Sequence, residues 1–175
     1  MRIVILLRGV NVGGKNLLPM DALREQLRSL GATAVRTYIQ SGNAVVDHDD
    51  PSALPAALQA ELRARFGLDV PVVTRDAASF CLAAARHPLA EVGDSPQALH
   101  LMFLADPPRP DAALDPHRSP PDTFEVVGRE VYLRCPNGLG RSRLTNAWFD
   151  AALGTVSTTR NWDTVQTLAA WASEP

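Results

Sequence analysis

Lysine is almost missing from this chain. Of its 17 basic residues, 16 are arginine, and Lys15 stands alone. Aromatic residues make up only 6% of the 175, and no RNP-like pattern of strand aromatics appears, which argues against an RNA-recognition sheet. Cysteine occurs twice, as Cys81 and Cys135, with no CxxC or HxxxH beside either. That excludes a disulfide framework and a zinc site and leaves two core or half-buried thiols in a reducing compartment. No apolar run approaches the roughly 18 residues of a membrane helix. The apolar start at residues 1–7 is too short for a secretion signal and has no small-residue cleavage site. A cytoplasmic protein without a membrane partner is therefore expected. Neither sign of charge dominates, the net being −2 and the pI near 6.1. With 46% apolar residues and 18.9 kDa, the chain can bury a substantial core unaided.

Chemistry-bearing constellations are sparse as well. The four histidines, His48, His87, His100 and His117, have no partner at ligand or triad spacing. No G-x-S-x-G elbow occurs, and neither cysteine lies in a motif. Asp47-His48-Asp49-Asp50 is metal-like in composition but falls between a strand end and a helix cap, so it reads as a solvated loop. No metal and no cofactor are expected. No residue is placed as nucleophile or base, so the residues leave open whether the protein is an enzyme.

What is present is periodic. Ile3 to Leu7 reads as a buried strand, and a helix begins near Pro19, with Met20, Leu23, Leu27 and Leu30 as its stripe and Gly31 as its stop. Residues 35–40 alternate as a strand, and Ser41-Gly42-Asn43 turns the chain into the strand at 44–46. Asp50 or Ser52 caps a second helix carrying Leu54, Leu58, Leu62 and Phe66, closed by Gly67 before a strand at 70–74. The order β-α-β-β-α-β is that of a ferredoxin-like split βαβ unit. A linking helix follows at 76–86. The second half repeats the plan more loosely. A strand at 99–103 leads into residues 106–122, which hold six of the 14 prolines and read as an irregular loop with at most one helical turn around Asp111 to Leu114. Two strands flank Gly128-Arg129, a helix runs from Ser142 to Leu153, a strand covers 156–159, and Asn161 caps a last helix. The expected fold is α+β: two ferredoxin-like units, the second irregular, packed as one compact body with a C-terminal helix. Their expected bounds are 1–75 and 98–175, joined by a linker at 76–97. No sequence identity links the halves, so this repeat is one of topology.

Charge is segregated. The loops at 8–16, 135–146 and 155–162 carry Arg8, Lys15, Arg141, Arg143 and Arg160 and no carboxylate, so the remainder of the chain carries −7 of the net −2. Such segregation points to an anionic ligand on the basic side. Residues 9–15 fit G-x-x-x-x-G-K after a strand, but Asn16 replaces the magnesium-holding Ser or Thr, and Pro19 delays the helix. A nucleotide-hydrolysing P-loop is therefore rejected, while a glycine loop holding an anion in another fold stays open. Gln40-Ser41-Gly42-Asn43 is rich in hydrogen-bonding groups and is equally plain turn chemistry. The stretch 137–142 leads two arginines toward a helix N-terminus, and Thr158-Thr159-Arg160-Asn161-Trp162 reaches another. Trp162 reads as core or as a stacking platform.

Four segments together resemble a bacterial family of unknown function, DUF1697. They are Leu7 to Asn16, Val35 to Asn43, Gly138-Leu139-Gly140-Arg141-Ser142 and Thr158-Thr159-Arg160-Asn161-Trp162. Val10 where isoleucine is usual and Arg143 where lysine is usual are conservative departures. The resemblance implies paired ferredoxin-like α+β units and no activity. The expected function is binding of a phosphorylated or other anionic small molecule, with a nucleotide among the options. Its ligand set is Arg8, Asn11, Gly13, Gly14, Lys15, Asn16, Gln40, Ser41, Asn43, Arg141, Ser142, Arg160 and Asn161. Lys15 would act as a point charge and the arginines as forked donors. Two alternatives use the same residues: binding of a nucleic-acid backbone, or a structural or interaction protein whose glycine turns are only turns.

Overall fold

A computed structural model describes residues 1–174 and divides them into two units, Met1–Leu82 with the chain from Thr167 onward, and Ala83–Gln166. The first unit begins with β1 (Arg2–Leu7), whose unbroken apolar run is buried from Ile3 to Leu7. Then follow α1 (Met20–Ser29), β2 (Thr33–Tyr38), β3 (Asn43–Asp47), α2 (Leu54–Phe66) and β4 (Val72–Asp76). The strands form one antiparallel sheet in the order β2-β3-β1-β4, the arrangement of a ferredoxin-like unit. Strand alternation sends Ile3, Ile5, Leu7, Ala44 and Val46 to one face. There they meet the stripes of both helices, Leu23 and Leu27 with Leu58 and Leu62, all fully buried. Gly67 closes α2 in the left-handed region at φ 66°. The expected Asp50 or Ser52 cap is not used. Asp50 instead accepts from the Ser52 amide at 3.2 Å and its hydroxyl at 2.6 Å, and α2 starts after Ala53 without a side-chain cap. The C-terminal segment joins this unit through Trp171, which packs edge-on to Tyr38 at 5.5 Å and carries the Arg36 guanidinium 4.0 Å above its ring.

The linking helix α3 (Ala77–Ala84) follows β4 directly. The second unit then has β5 (Leu99–Leu104), β6 (Thr123–Val127), β7 (Glu130–Arg134), α4 (Asn146–Leu153) and β8 (Ser157–Asn161), running into α5 (Trp162–Ala172). Its antiparallel sheet has the order β6-β7-β5-β8, which is the order of the first sheet. Residues 105–122 occupy the place of the first crossover helix and contain neither helix nor strand, as six prolines dictate. Phe149 and Leu153 of α4 pack on Met102, Leu104, Val131 and Leu133.

Superposing the two strand orders exposes a short repeat that the bare sequence conceals. Thr74-Arg75-Asp76 ends β4 and Thr159-Arg160-Asn161 ends β8. Arg75 lies opposite Val4 on the first strand of its sheet, and Arg160 opposite Leu101 on the first strand of the other. Both arginines are buried, and each donates to the carbonyl of the threonine before it, at 2.8 and 2.9 Å. The next residue caps the following helix: Asp76 accepts from the Ser79 amide and Asn161 from the Thr164 amide, each at 2.8 Å. Each strand extends past its expected end because these polar residues still pair with β1 or β5.

Candidate functional site

In the first unit the β1–α1 loop is a small hairpin laced shut from within. Gly13 and Gly14 both have positive φ, 57° and 74°, the signature of a two-residue type I′ turn. The Lys15 amide donates to the Val12 carbonyl at 3.0 Å, and the Asn11 amide to the Asn16 carbonyl at 3.1 Å. Asn11 spends its side chain on the frame. Its Nδ2 donates to the carbonyls of Leu18 and Gln40, at 2.8 and 2.7 Å, and its Oδ1 accepts from the Leu18 amide at 2.8 Å. Asn16 Nδ2 closes the base on the Gly9 carbonyl at 3.0 Å. The loop thus turns several of its donors inward and offers solvent the exposed Lys15 side chain.

The Gln40-Ser41-Gly42-Asn43 turn is bound to the same frame. The Leu7 amide donates to the Gly42 carbonyl at 2.8 Å. A Cβ on Gly42 would sit 2.6 Å from Val10 Cγ2 and 2.7 Å from Leu7 Cβ, at a φ of 76°. Asn43 is fully buried, and its Nδ2 donates to the Tyr38 carbonyl at 3.2 Å. The structure therefore brings Asn11, Gln40 and Gly42 together, by packing and backbone bonds.

The second unit holds a concave site. Residues 119–122 of the proline loop and residues 137–141 after β7 enclose a hollow of about 150 Å³ with Arg141 on its wall. A second hollow of about 320 Å³ shares Pro120, Pro121 and Asp122 as a common wall and continues past His117 to Phe124. The partition is fixed by hydrogen bonds. Ser119 Oγ donates to Asp122 Oδ2 at 2.8 Å and accepts from the Arg143 amide at 3.0 Å, while Ser142 Oγ accepts from the Leu144 amide at 3.0 Å. Ser119 and Asp122 are both buried. Arg118 lies over the Trp148 ring at 4.8 Å and donates to the Arg143 carbonyl at 3.2 Å. Among the described residues, Arg118, Arg141 and Arg143 form no ion pair.

This geometry revises the expected helix start. Leu139–Arg141 is a 3-10 turn, and α4 begins at Asn146, with Thr145 Oγ1 capping the Trp148 amide at 3.2 Å. Ser142 is held by Leu144 and Ser119 instead, so Arg141 and Ser142 flank a groove and not a helix N-terminus. Arg160 also differs from expectation: it is 8% exposed, and burial pulls its pKa down to about 10. Its Nη1 donates to Thr158 Oγ1 at 2.8 Å. It remains charged at neutral pH but is committed to the sheet. Asn161 caps α5 as expected. Trp162 is half-buried with its ring edge-on to His87 at 5.0 Å, on the core side of the two readings. Cys135 is fully buried, with its thiol pushed up to about 11 by burial and then by the Asp122 charge. That thiol is protonated at neutral pH and is no nucleophile.

Sequence reading passed over Ser119, Asp122, Phe124 and His117. The available signal was the proline loop itself, since a helix-sized segment that cannot be helix leaves one face of its sheet to be shaped by turns. Among the described residues no group of three His, Cys, Asp or Glu side chains is placed to hold a metal ion, and no helix is long and apolar enough to cross a membrane.

Fold and groove define an α+β protein of two ferredoxin-like sheets, with an arginine-rimmed hollow on the second. The family model described as protein of unknown function (DUF1697) matches residues 1–132, and the chain belongs to that family. The motifs at 138–142 and 158–162 lie beyond the matched stretch. Among solved structures the chain is similar to a conserved bacterial protein from Streptococcus pneumoniae, with a TM-score of 0.73 at 20% identity over 98% of both chains. That likeness shows the fold. A comparison with curated proteins finds no match.

Proposed function

We propose that the protein binds a small phosphorylated or similarly anionic ligand in the groove between residues 119–122 and 137–141. The observation that carries this reading is a hollow of about 150 Å³ whose wall includes the Arg141 guanidinium, which among the described residues forms no ion pair. A guanidinium presents a planar fork of donors matched to phosphate or carboxylate oxygens. Arg118 and Arg143 add positive potential beside it. Asp122 opposes them, but its Oδ2 is occupied by Ser119. Of the residues singled out from sequence, Arg141 lines this groove, and Ser142 next to it bonds Ser119 on the wall. Arg160 and Asn161 act in the same unit as sheet and cap residues. Lys15 and the rest of the ligand set belong to the other unit, and the groove does not require them.

The test is a titration of inorganic phosphate and pyrophosphate followed by backbone amide shifts. Saturable shifts confined to residues 119–122 and 137–143 are expected. Arg141→Ala should weaken them about tenfold, the loss of one charge-assisted hydrogen-bonding group of about 1.5 kcal/mol, and Lys15→Ala should leave them unchanged. No saturable shift in the wild type would refute the reading. Oligonucleotide binding whose affinity falls linearly on a log-log scale with salt, without phosphate binding, would replace it by backbone recognition.

A further inference from the structure

The anionic ligand carries a flat ring and a hydroxylated middle: we infer that the groove takes a mononucleotide, with the phosphate at Arg141 and the base against Phe124 and His117. This rests on the anion-binding reading above and adds the class of ligand. Three observations support it. First, the groove has two compartments, and the one beyond the Pro120-Pro121 wall is the larger, about 320 against 150 Å³. A bare phosphate needs only the smaller. Second, the larger compartment is walled by rings, those of Pro116, Pro120, Pro121, His117 and Phe124. Phe124 is held firmly, edge-on to Trp148 at 5.9 Å and to Phe149 at 5.3 Å. Among the described residues the exposed His117 imidazole makes no hydrogen bond. Flat, rigid, mostly apolar walls suit a flat ligand ring, because stacking and burial need no reordering of side chains.

Third, Asp122 stands on the wall common to both compartments. It is 8% exposed, and among the described residues its Oδ1 accepts no hydrogen bond. That oxygen is not among the buried unpaired atoms, so it stays open to the groove, where it can accept from a ligand donor and would repel a lone phosphate. It suits a ligand that brings hydroxyl donors between an anionic end and a ring, as a ribose does. The same carboxylate explains why an anion site should discriminate against inorganic phosphate. Asp122, which lines both hollows, is the group placed to meet the middle of a ligand whose phosphate is at Arg141 and whose base is at Phe124 and His117.

Calorimetric titrations of the full chain with AMP, UMP, ribose 5-phosphate, adenosine and inorganic phosphate test the assignment. AMP and UMP should bind at least tenfold more tightly than ribose 5-phosphate, and ribose 5-phosphate more tightly than phosphate. Asp122→Asn, which keeps an acceptor for Ser119, should weaken the nucleotides and ribose 5-phosphate but strengthen phosphate. The variant His117→Ala, at an exposed side chain, should narrow the gap between AMP and ribose 5-phosphate even if Asp122→Asn unfolds the protein. Equal affinities for phosphate, ribose 5-phosphate and AMP would overturn the nucleotide assignment and leave anion binding intact. Binding of none of them would overturn both, and binding of an oligonucleotide but no mononucleotide would overturn the nucleotide assignment in favour of a polymer.

Discussion

Replacing Gly42 by alanine tests whether the Ser41-Gly42-Asn43 turn is a packing element. The new methyl would stand 2.6 Å from Val10 Cγ2 and 2.7 Å from Leu7 Cβ, separations at which something must shift. Both neighbours are buried, Leu7 in the β1 strand and Val10 at the loop base, so relief requires moving core residues. Overpacking of this kind costs about 1–3 kcal/mol. The backbone, at φ 76°, adds about 1 kcal/mol for any residue with a Cβ. The expected loss is about 2–4 kcal/mol, or roughly 5–15 °C in Tm for a chain of this size. Gly13→Ala supplies the control: its φ is 57°, yet a Cβ there meets nothing within 4 Å. That variant carries the backbone cost of about 1 kcal/mol alone. Urea unfolding of both variants by circular dichroism separates clash from conformation. If Gly42→Ala falls within about 0.5 kcal/mol of Gly13→Ala, a value close to the error of such extrapolations, the packing argument is refuted.

Thr145→Ala should cost about 1 kcal/mol by removing the α4 cap, while Ser142→Ala should leave α4 helicity intact; thermal melts read by circular dichroism decide, and the reverse ranking would restore the helix start at 142. Acid should act in two windows. Burial holds the His87 and His100 pKa values below the ordinary 6.5, so both stay neutral in the fold while the unfolded chain takes up protons. Stability is therefore full above about pH 6.5 and declines as pH falls from there toward the folded values, by at most about 1.4 kcal/mol per pH unit for each histidine. Asp47 and Asp76 are held low, by the Arg2 guanidinium and by the Ser79 amide and hydroxyl. Their contribution is present above about pH 4 and is lost below it. Urea midpoints from pH 8 to 3 should show both steps, with the upper one reduced in His87→Gln; a midpoint that rises between pH 6.5 and 5 would contradict the assignment.

Much of the architecture was legible because it is written in local periodicity. The stripe of Leu23 and Leu27, the run from Ile3 to Leu7, and the glycines at 31, 67 and 154 each state their element without reference to the rest of the chain. Helix starts were less legible. Ser142 and Thr145 are both competent caps for α4, and which one serves depends on where Ser119 and Leu144 lie. The candidate site was legible as chemistry and not as place. Arg160 looks in sequence like an exposed cation before a helix, yet strand pairing with Leu101 buries it. Asn11 looks like a ligand and is spent on Leu18 and Gln40.

Composition and pattern by themselves determined the α+β class, the order of elements, the separation of basic loops from an acidic body, and a largely irregular loop at 106–122. Each follows from residues acting on their near neighbours, through propensity, period and proline's missing amide. Only the tertiary structure decided that the glycine loop closes on itself, that Thr-Arg-Asp and Thr-Arg-Asn occupy matching positions in two sheets, and that Asp122 is walled in beside Arg141. The last two depend on strand register and on contacts between residues about 20 or more positions apart, and the loop, closed by short-range bonds, is fastened to its frame by the Asn11 bond to the Gln40 carbonyl. The lone lysine is on the exposed hairpin, while the hollow lies at Arg141, which the sequence marked out together with Arg8, Arg143 and Arg160 and only the tertiary structure set on a concave wall.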